Sequence, residues 1–202
     1  MTICHTFKIT LNILAPFNTA ASEPGHWGID TPVWRDHQGC IALPGTLVHG
    51  RLVEELHNWA GSEDKDRLFG DLMARLGQKA GDKNAPARKA ITFSDFRLER
   101  DGQKSSEVQT RIAKGANGTV EPEMLQVIET VARAGKRLTF KGSACAFCAP
   151  ADAQKLQRNL QAALALIPQI GGERSVGYGR IESVTVASGV TDTASNDKIS
   201  IT

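Results

Sequence analysis

GHWGIDTPVWRDHQGCIALPGTLVHGR, residues 25–51, joins a single acid in a Gly-containing loop, Asp30, to an Arg35-Asp36 pair, a short apolar strand at 40–43 and a Pro44-Gly45-Thr46 helix start. Thr46 is a candidate N-cap for that helix. Val48, Leu52, Leu56 and Trp59 then recur at helical spacing, so residues 46–59 form a helix with one apolar stripe. Upstream, TFKITLNIL (6–14) alternates Phe7, Ile9, Leu11 and Ile13 with more polar neighbours, the period of a half-buried strand. Between strand and helix lies 15–38, rich in Pro, Gly, Ser and Asn. Compact domains usually keep a loop of that length for function.

Downstream, residues 61–89 are charged and broken by Gly61, Gly70, Gly77, Gly81 and Pro86, which reads as a surface insertion holding a short helix near 64–76. ITFSDFRLE (91–99) reads as a strand. The polar segment after it, with Asp101-Gly102 and Asn117-Gly118 turn dipeptides, reads as a protruding hairpin. Residues 124–147 carry two strands around an Ala134-Gly135-Lys136 turn. Residues 151–167 form a helix opened by Pro150, with Leu156, Leu160, Leu164 and Ile167 on one face and Pro168 at its end. A Gly-rich stretch (171–180), a final strand (IESVTV, 181–186) and a tail (189–202) complete the chain. The order predicts an α+β fold, a ferredoxin-like, RRM-like βαββαβ core in a single domain over 1–188. Fold alone leaves function open.

Bulk properties exclude several classes. Of the 202 residues 41% are hydrophobic and 23% charged, which is globular rather than disordered. No segment approaches the roughly 18 apolar residues of a membrane helix, and the N-terminus, interrupted by His5 and Lys8, reads as a strand rather than a signal peptide. A soluble, cytoplasmic protein without membrane contact is expected. Its cysteines, Cys4, Cys40, Cys145 and Cys148, are expected to be reduced thiols. Structural zinc is not expected, because no second ligand pair accompanies Cys145-x-x-Cys148. The net charge of +2 allows a polyanion partner only if basic residues cluster.

GGERSVGYGR (171–180) has two readings: a tight turn whose glycines supply positive φ, or a backbone nest for phosphates clamped by Arg174 and Arg180. Asp30, taken by itself, reads as a loop acid bonded to local backbone. Asp36, in its Arg-Asp pair before a turn, reads as a loop pin. Five scattered histidines form no Ser/His/Asp or two-His constellation. His26 is near enough to Asp30 in sequence to touch a substrate, and a partly charged His49 at the helix N-terminus could bind a phosphate.

The 25–51 stretch resembles the signature of the RAMP superfamily of CRISPR proteins, in particular the repeating backbone subunit of type III effector complexes. There a Gly-Ile-Asp-x-Pro-Val-x-(Arg/Lys)-Asp loop leads into an Ile-Pro-Gly-(Ser/Thr) helix start. The 171–180 stretch resembles the superfamily's C-terminal Gly-rich loop, and 97–123 resembles its thumb hairpin. Residues 134–140 are similar to its strand entry. After the first strand the chain departs from the family's Gly-Gly-like sequence, having Ala15-Pro16-Phe17-Asn18 instead.

The resemblance implies a guide-RNA-binding subunit that cleaves paired target RNA through Asp30 with a divalent cation, magnesium or manganese. It implies RNA contacts from His49, Arg51, Arg97, Arg111, Lys114, Arg174, Ser175 and Arg180, and loop-structuring roles for Asp36, Gly45, Gly177 and Gly179. The implied partners are guide CRISPR RNA, target RNA, copies of the chain in a filament and other effector subunits. Two alternatives stand beside this reading: a non-catalytic RNA-binding subunit, and a ferredoxin-like enzyme binding a phosphorylated ligand.

Overall fold

The structure, a computed structural model, describes residues 2–20, 28–59, 63–77, 89–99, 106–114 and 120–189, with side chains left aside at 63–68, 112–114 and 120–124. Its strands are β1 (Ile3–Leu14), β2 (Ala42–Leu43), β3 (Ile91–Phe93), β4 (Phe96–Leu98), β5 (Glu107–Lys114), β6 (Val120–Thr130), β7 (Arg137–Cys148) and β8 (Arg180–Gly189). The helices among the described residues are α1 (Gly45–Asn58), α2 (Glu63–Arg75) and α3 (Pro150–Ala165). Every helix and strand expected from the periodicity is found within a few residues of its expected span. The exception is 91–99, which divides into β3 and β4 at Ser94-Asp95.

The main sheet runs β2-β4-β7-β1-β8, with β3 also on β7, and every pairing in it is antiparallel. This order is consistent with a ferredoxin-like core. The long central pair fixes the register from Ile3 opposite Cys148 to Leu14 opposite Arg137. Because strand side chains alternate faces, Phe7, Ile9, Leu11 and Ile13 of β1 and Leu138, Phe140, Ala144 and Ala146 of β7 all point inward. There they meet Val48, Leu52 and Leu56 of α1, Leu72 of α2, and Leu156, Leu160 and Leu164 of α3 in one cluster. The same alternation puts half-buried Cys145 and buried Cys148 on opposite faces of β7.

The start of α1 corrects one expectation. Thr46 is exposed and makes no cap; the N-cap position is Pro44, without a side-chain bond. The Gly45 amide instead donates to Asp95 Oδ1 at 2.9 Å, from the break between β3 and β4. Gly45 is required there because a Cβ would lie 2.4 Å from the Phe93 carbonyl oxygen. The hairpin expected after β4 is a separate two-stranded ribbon, β5 on β6, whose β6 end turns at 132–136 into β7. The expected tail from 190, the turns at Asp101-Gly102 and Asn117-Gly118, and most of the insertion beyond Gly77 lie outside the described residues.

Candidate nucleic-acid interface

Strand β6 is the spine of the candidate site. The loop bearing Asp30 lies along it as a short parallel segment, with Thr31 bridged to Ile128. Asp30 holds Val127 twice: its amide donates to the Val127 carbonyl at 2.9 Å, and the Val127 amide donates to Asp30 Oδ2 at 2.7 Å. The Glu129 amide donates to the Thr31 carbonyl at 3.0 Å. Asp30 itself remains exposed. The expected bonding of this carboxylate to nearby backbone is therefore present, but the backbone belongs to a strand 97 residues away.

Two residues farther on, the Val33 amide donates to Glu129 Oε2 at 2.7 Å, and Arg35 grips both Glu129 oxygens, at 2.6 Å to Oε1 and 3.1 Å to Oε2. The Ser106 hydroxyl also donates to Oε1. Burial raises the pKa of Glu129, but Arg35, Ser106 and the Val33 amide together outweigh it and hold the carboxyl below its ordinary value. Glu129 is thus an ionised, well-bonded buried acid, the arrangement in which a buried charge is tolerated.

Asp36 acts as expected of a loop pin. Its Oδ1 accepts from the Gln38 and Cys40 amides at 2.9 and 3.0 Å, and Arg97 Nε lies 2.7 Å from Oδ2. Burial again pushes its pKa up, and these two amides with Arg97 bring it below the usual value. Arg97 is 44% exposed beyond this pairing, so part of the guanidinium faces solvent.

The Gly-rich loop meets the other side of the same assembly. Gly171, at φ +100°, would place a Cβ 2.3 Å from the Asn18 carbonyl oxygen, and Gly179, at φ +67°, would place one 1.9 Å from the Ile170 carbonyl oxygen. Only glycine permits both the backbone angle and the approach. The Gly172 amide donates to the Asn18 carbonyl at 2.8 Å and the Gly179 amide to that of Pro16 at 3.0 Å. On the ribbon side, Arg111 pairs with Glu173 and lies 5.3 Å from the Tyr178 ring centroid, while the Tyr178 hydroxyl donates to Gln109 Oε1. Arg174 and Ser175 occupy an exposed turn at the tip, and Arg180 is exposed at the start of β8.

The candidate RNA-binding residues therefore divide. Arg174, Ser175, Arg180 and part of Arg97 face solvent around the Gly-rich loop and β4. Arg111 is occupied in docking the ribbon. Arg51 is buried and paired with Glu54 and Glu55 on its own helix, so it does not present a surface charge. His49 corrects the expectation of a partly charged imidazole: burial lowers its pKa and a nearby Lys89 adds to this, outweighing the opposing bond in which Nε2 donates to the Leu76 carbonyl at 3.0 Å. One contact between the Gly-rich loop and α1 is Arg174 Nη1 to Glu54 Oε2, 3.9 Å, in the third turn of α1, while its first turn sits on Phe93 to Asp95. The Lys114 side chain and His26 lie outside the described residues.

Sequence reasoning missed Asn18, Arg35, Glu129, Glu173, Tyr178 and Asp95, all of which act across long sequence separations. The Arg51 pairing, by contrast, was signalled locally, by acids three and four residues on.

Among the described residues no three His, Cys, Asp or Glu side chains gather as a metal-ligand set. Exposed Asp30 offers one carboxylate, with Oδ2 engaged by Val127. This donor fits a hard cation of the magnesium type, which keeps several waters and takes substrate phosphate oxygens beside one or two carboxylates, rather than a cation caged by protein.

The family model of the RAMP superfamily matches residues 22–182, from the approach to the Asp30 loop through the ribbon and the Gly-rich loop to the start of β8. The chain belongs to the RAMP superfamily, whose members are CRISPR-associated RNA-binding subunits. No curated protein sequence matches it. No described helix is long and apolar enough to cross a membrane.

Proposed function

We propose that this chain is a backbone subunit of a type III-like CRISPR ribonucleoprotein, which holds guide RNA and cleaves the complementary target at Asp30. The observation that supports the reading is the exposed Asp30 carboxylate, held on β6 by paired bonds to Val127, with the Gly-rich loop joined to the same assembly through the Asn18 carbonyl. Guide contacts come from the 171–180 backbone with Arg174 and Arg180, directed at phosphates and so independent of guide sequence. Base pairing supplies target specificity.

In cleavage the chain's work is positioning. Asp30 is held by its own backbone as well as by Oδ2, so the carboxylate is pre-oriented toward a displaced target nucleotide and can orient the ribose 2′-hydroxyl for in-line attack on its own phosphate. Asp30 would help hold a divalent cation, magnesium or manganese, which when bound would supply charge stabilisation at that phosphate. Exposed Val108 and Leu125 on the ribbon, and Val176 on the Gly-rich loop, offer apolar surface to an adjacent copy.

One observation favours a second reading, a non-catalytic subunit of the same kind of complex: Oδ2 of Asp30 already serves as a clip for the Val127 amide. The test mixes assembled complex with complementary RNA and magnesium or manganese. Regularly spaced fragments from wild type, absent from Asp30→Asn, support the nuclease; tight target binding with no cutting by either supports the second reading.

A further inference from the structure

The loop that follows β1 contains a fully buried Asn18, which touches the Gly-rich loop, the Asp30 loop and β6. Its Nδ2 donates to the Glu129 carbonyl at 2.6 Å and reaches the Thr31 carbonyl at 3.4 Å. Its own carbonyl accepts from the Gly172 amide at 2.8 Å. The side-chain orientation is dictated: a rotated amide would set Oδ1 against two carbonyl oxygens, which only accept. Oδ1 instead faces Gly172, where a Cβ would come within 3.0 Å, and it has no hydrogen-bond partner among the described residues. Leaving that oxygen unbonded in the interior costs stability, which the bonds from Nδ2 to the two carbonyls offset. Neither Ala nor a hydrophobic residue could bond both carbonyls.

We propose that Asn18 is the positioning residue which locks the Asp30 loop and the Gly-rich loop into one rigid unit, so that the segment gripping the guide sets the place of the carboxylate acting on the target. The functional half of this statement rests on the nuclease reading above; the mechanical half does not. Asp30 and Thr31 are adjacent, so releasing the Thr31 carbonyl frees the residue beside the carboxylate. Releasing the Glu129 carbonyl loosens β6 at the place where Arg35 and Val33 hold its side chain.

Amide hydrogen exchange on the full chain, read residue by residue, tests the mechanical half. Asn18→Asp has the same shape but turns an acceptor toward both carbonyls. Gly172→Ala presses on Oδ1 from the opposite loop and removes no donor. In each, protection at Asp30, Thr31 and Val127 should fall by about tenfold or more while amides of β1 and β7 keep theirs, the mark of local rather than global opening. Measured against wild type at the same pH, acid should partly restore Asn18→Asp, because a protonated carboxyl can again donate to the Glu129 carbonyl. Unchanged exchange at Asp30 and Thr31 in both variants would overturn the lock.

Cleavage by the assembled complex, with guide affinity measured alongside, tests the functional half. In Asn18→Asp, which changes no residue of the guide-binding loop, the turnover rate at saturating target should drop about tenfold with guide affinity nearly unchanged. Loosened exchange with full cleavage would refute the positioning role. A wild-type complex that binds target but never cuts would remove the nuclease reading and leave the exchange result to decide the lock.

Discussion

Asp30 and Val127 exchange two hydrogen bonds, the Asp30 amide to the Val127 carbonyl at 2.9 Å and the Val127 amide to Asp30 Oδ2 at 2.7 Å. The second of these gives the carboxylate a structural part beside the chemical one proposed for it. Asp30→Ala removes both functions, whereas Asp30→Asn keeps an acceptor for Val127 and loses only the charge. Both variants should lose cleavage by about a hundredfold or more, the usual effect of removing one preorganised electrostatic group. Asn should leave exchange at Val127 as in wild type while Ala raises it. A cleavage assay paired with exchange at Val127 checks this; equal cutting by Asp30→Asn and wild type would make the acid purely a clip.

Glu129 gives the loop a pH dependence. Its folded pKa lies below the ordinary carboxylate value, so its contribution is fully present above the unfolded pKa of about 4.3 and is lost as pH falls through the folded value. Acid should therefore weaken the attachment of the 30–35 loop to β6. Glu129→Gln should destabilise by about 1.5–3 kcal/mol at neutral pH, the range for charged hydrogen bonds, and the gap to wild type should narrow below about pH 4. Urea denaturation across pH measures it, and a gap independent of pH would refute the linkage.

What could be read in the chain follows from the range of the forces involved. The alternation of Phe7 to Ile13, the stripe from Val48 to Leu56 and the Pro150 start of α3 are local patterns, and each marks an element found where it was expected. Ala134-Gly135-Lys136 is a turn, with Gly135 at φ +87°. The Asp95 cap of α1 acts over 50 residues, and the Glu129 hold on Val33 over 96, so no spacing rule announces them. His49 reads as a phosphate binder from its place near a helix start, and Arg51 as an RNA contact from the family resemblance. Burial and the Leu76 carbonyl, fixed by the fold, engage His49, whereas burial and Glu54 and Glu55 of its own helix engage Arg51.

The two glycines of α1 should behave oppositely. Gly45→Ala drives a Cβ to 2.4 Å from the Phe93 carbonyl oxygen, a backbone atom that cannot rotate away, so α1 must shift at a cost of about 2–3 kcal/mol. Gly50 is exposed within the helix and a Cβ there meets nothing within 4 Å. Gly50→Ala should stabilise by about 0.5–1 kcal/mol, through reduced freedom of the unfolded chain and better helix propensity. Thermal or urea unfolding of the two variants decides it, and a stabilised Gly45→Ala would contradict the packing of α1 on β3.

The arginines around the Gly-rich loop should separate by salt dependence. Arg174 and Arg180 are exposed, and Arg174 is only loosely placed, 3.9 Å from Glu54. Each is open to a phosphate, and neutralising a phosphate releases counterions, so log affinity falls with log salt by about 0.7 per contact on a single strand. Arg174→Gln and Arg180→Gln should each flatten the slope for guide RNA by about that amount. Arg111 is different, because Glu173 and the Tyr178 ring already occupy its guanidinium. Arg111→Gln should leave the slope nearly unchanged and instead undock the ribbon, raising amide exchange at Gln109 and Tyr178. Binding titrations at several salt concentrations, with exchange on the same proteins, separate the roles. If Arg111→Gln flattens the slope as much as Arg174→Gln, Arg111 leaves Glu173 for a phosphate when guide RNA binds, and the Gly-rich loop loses its hold on the ribbon in the complex.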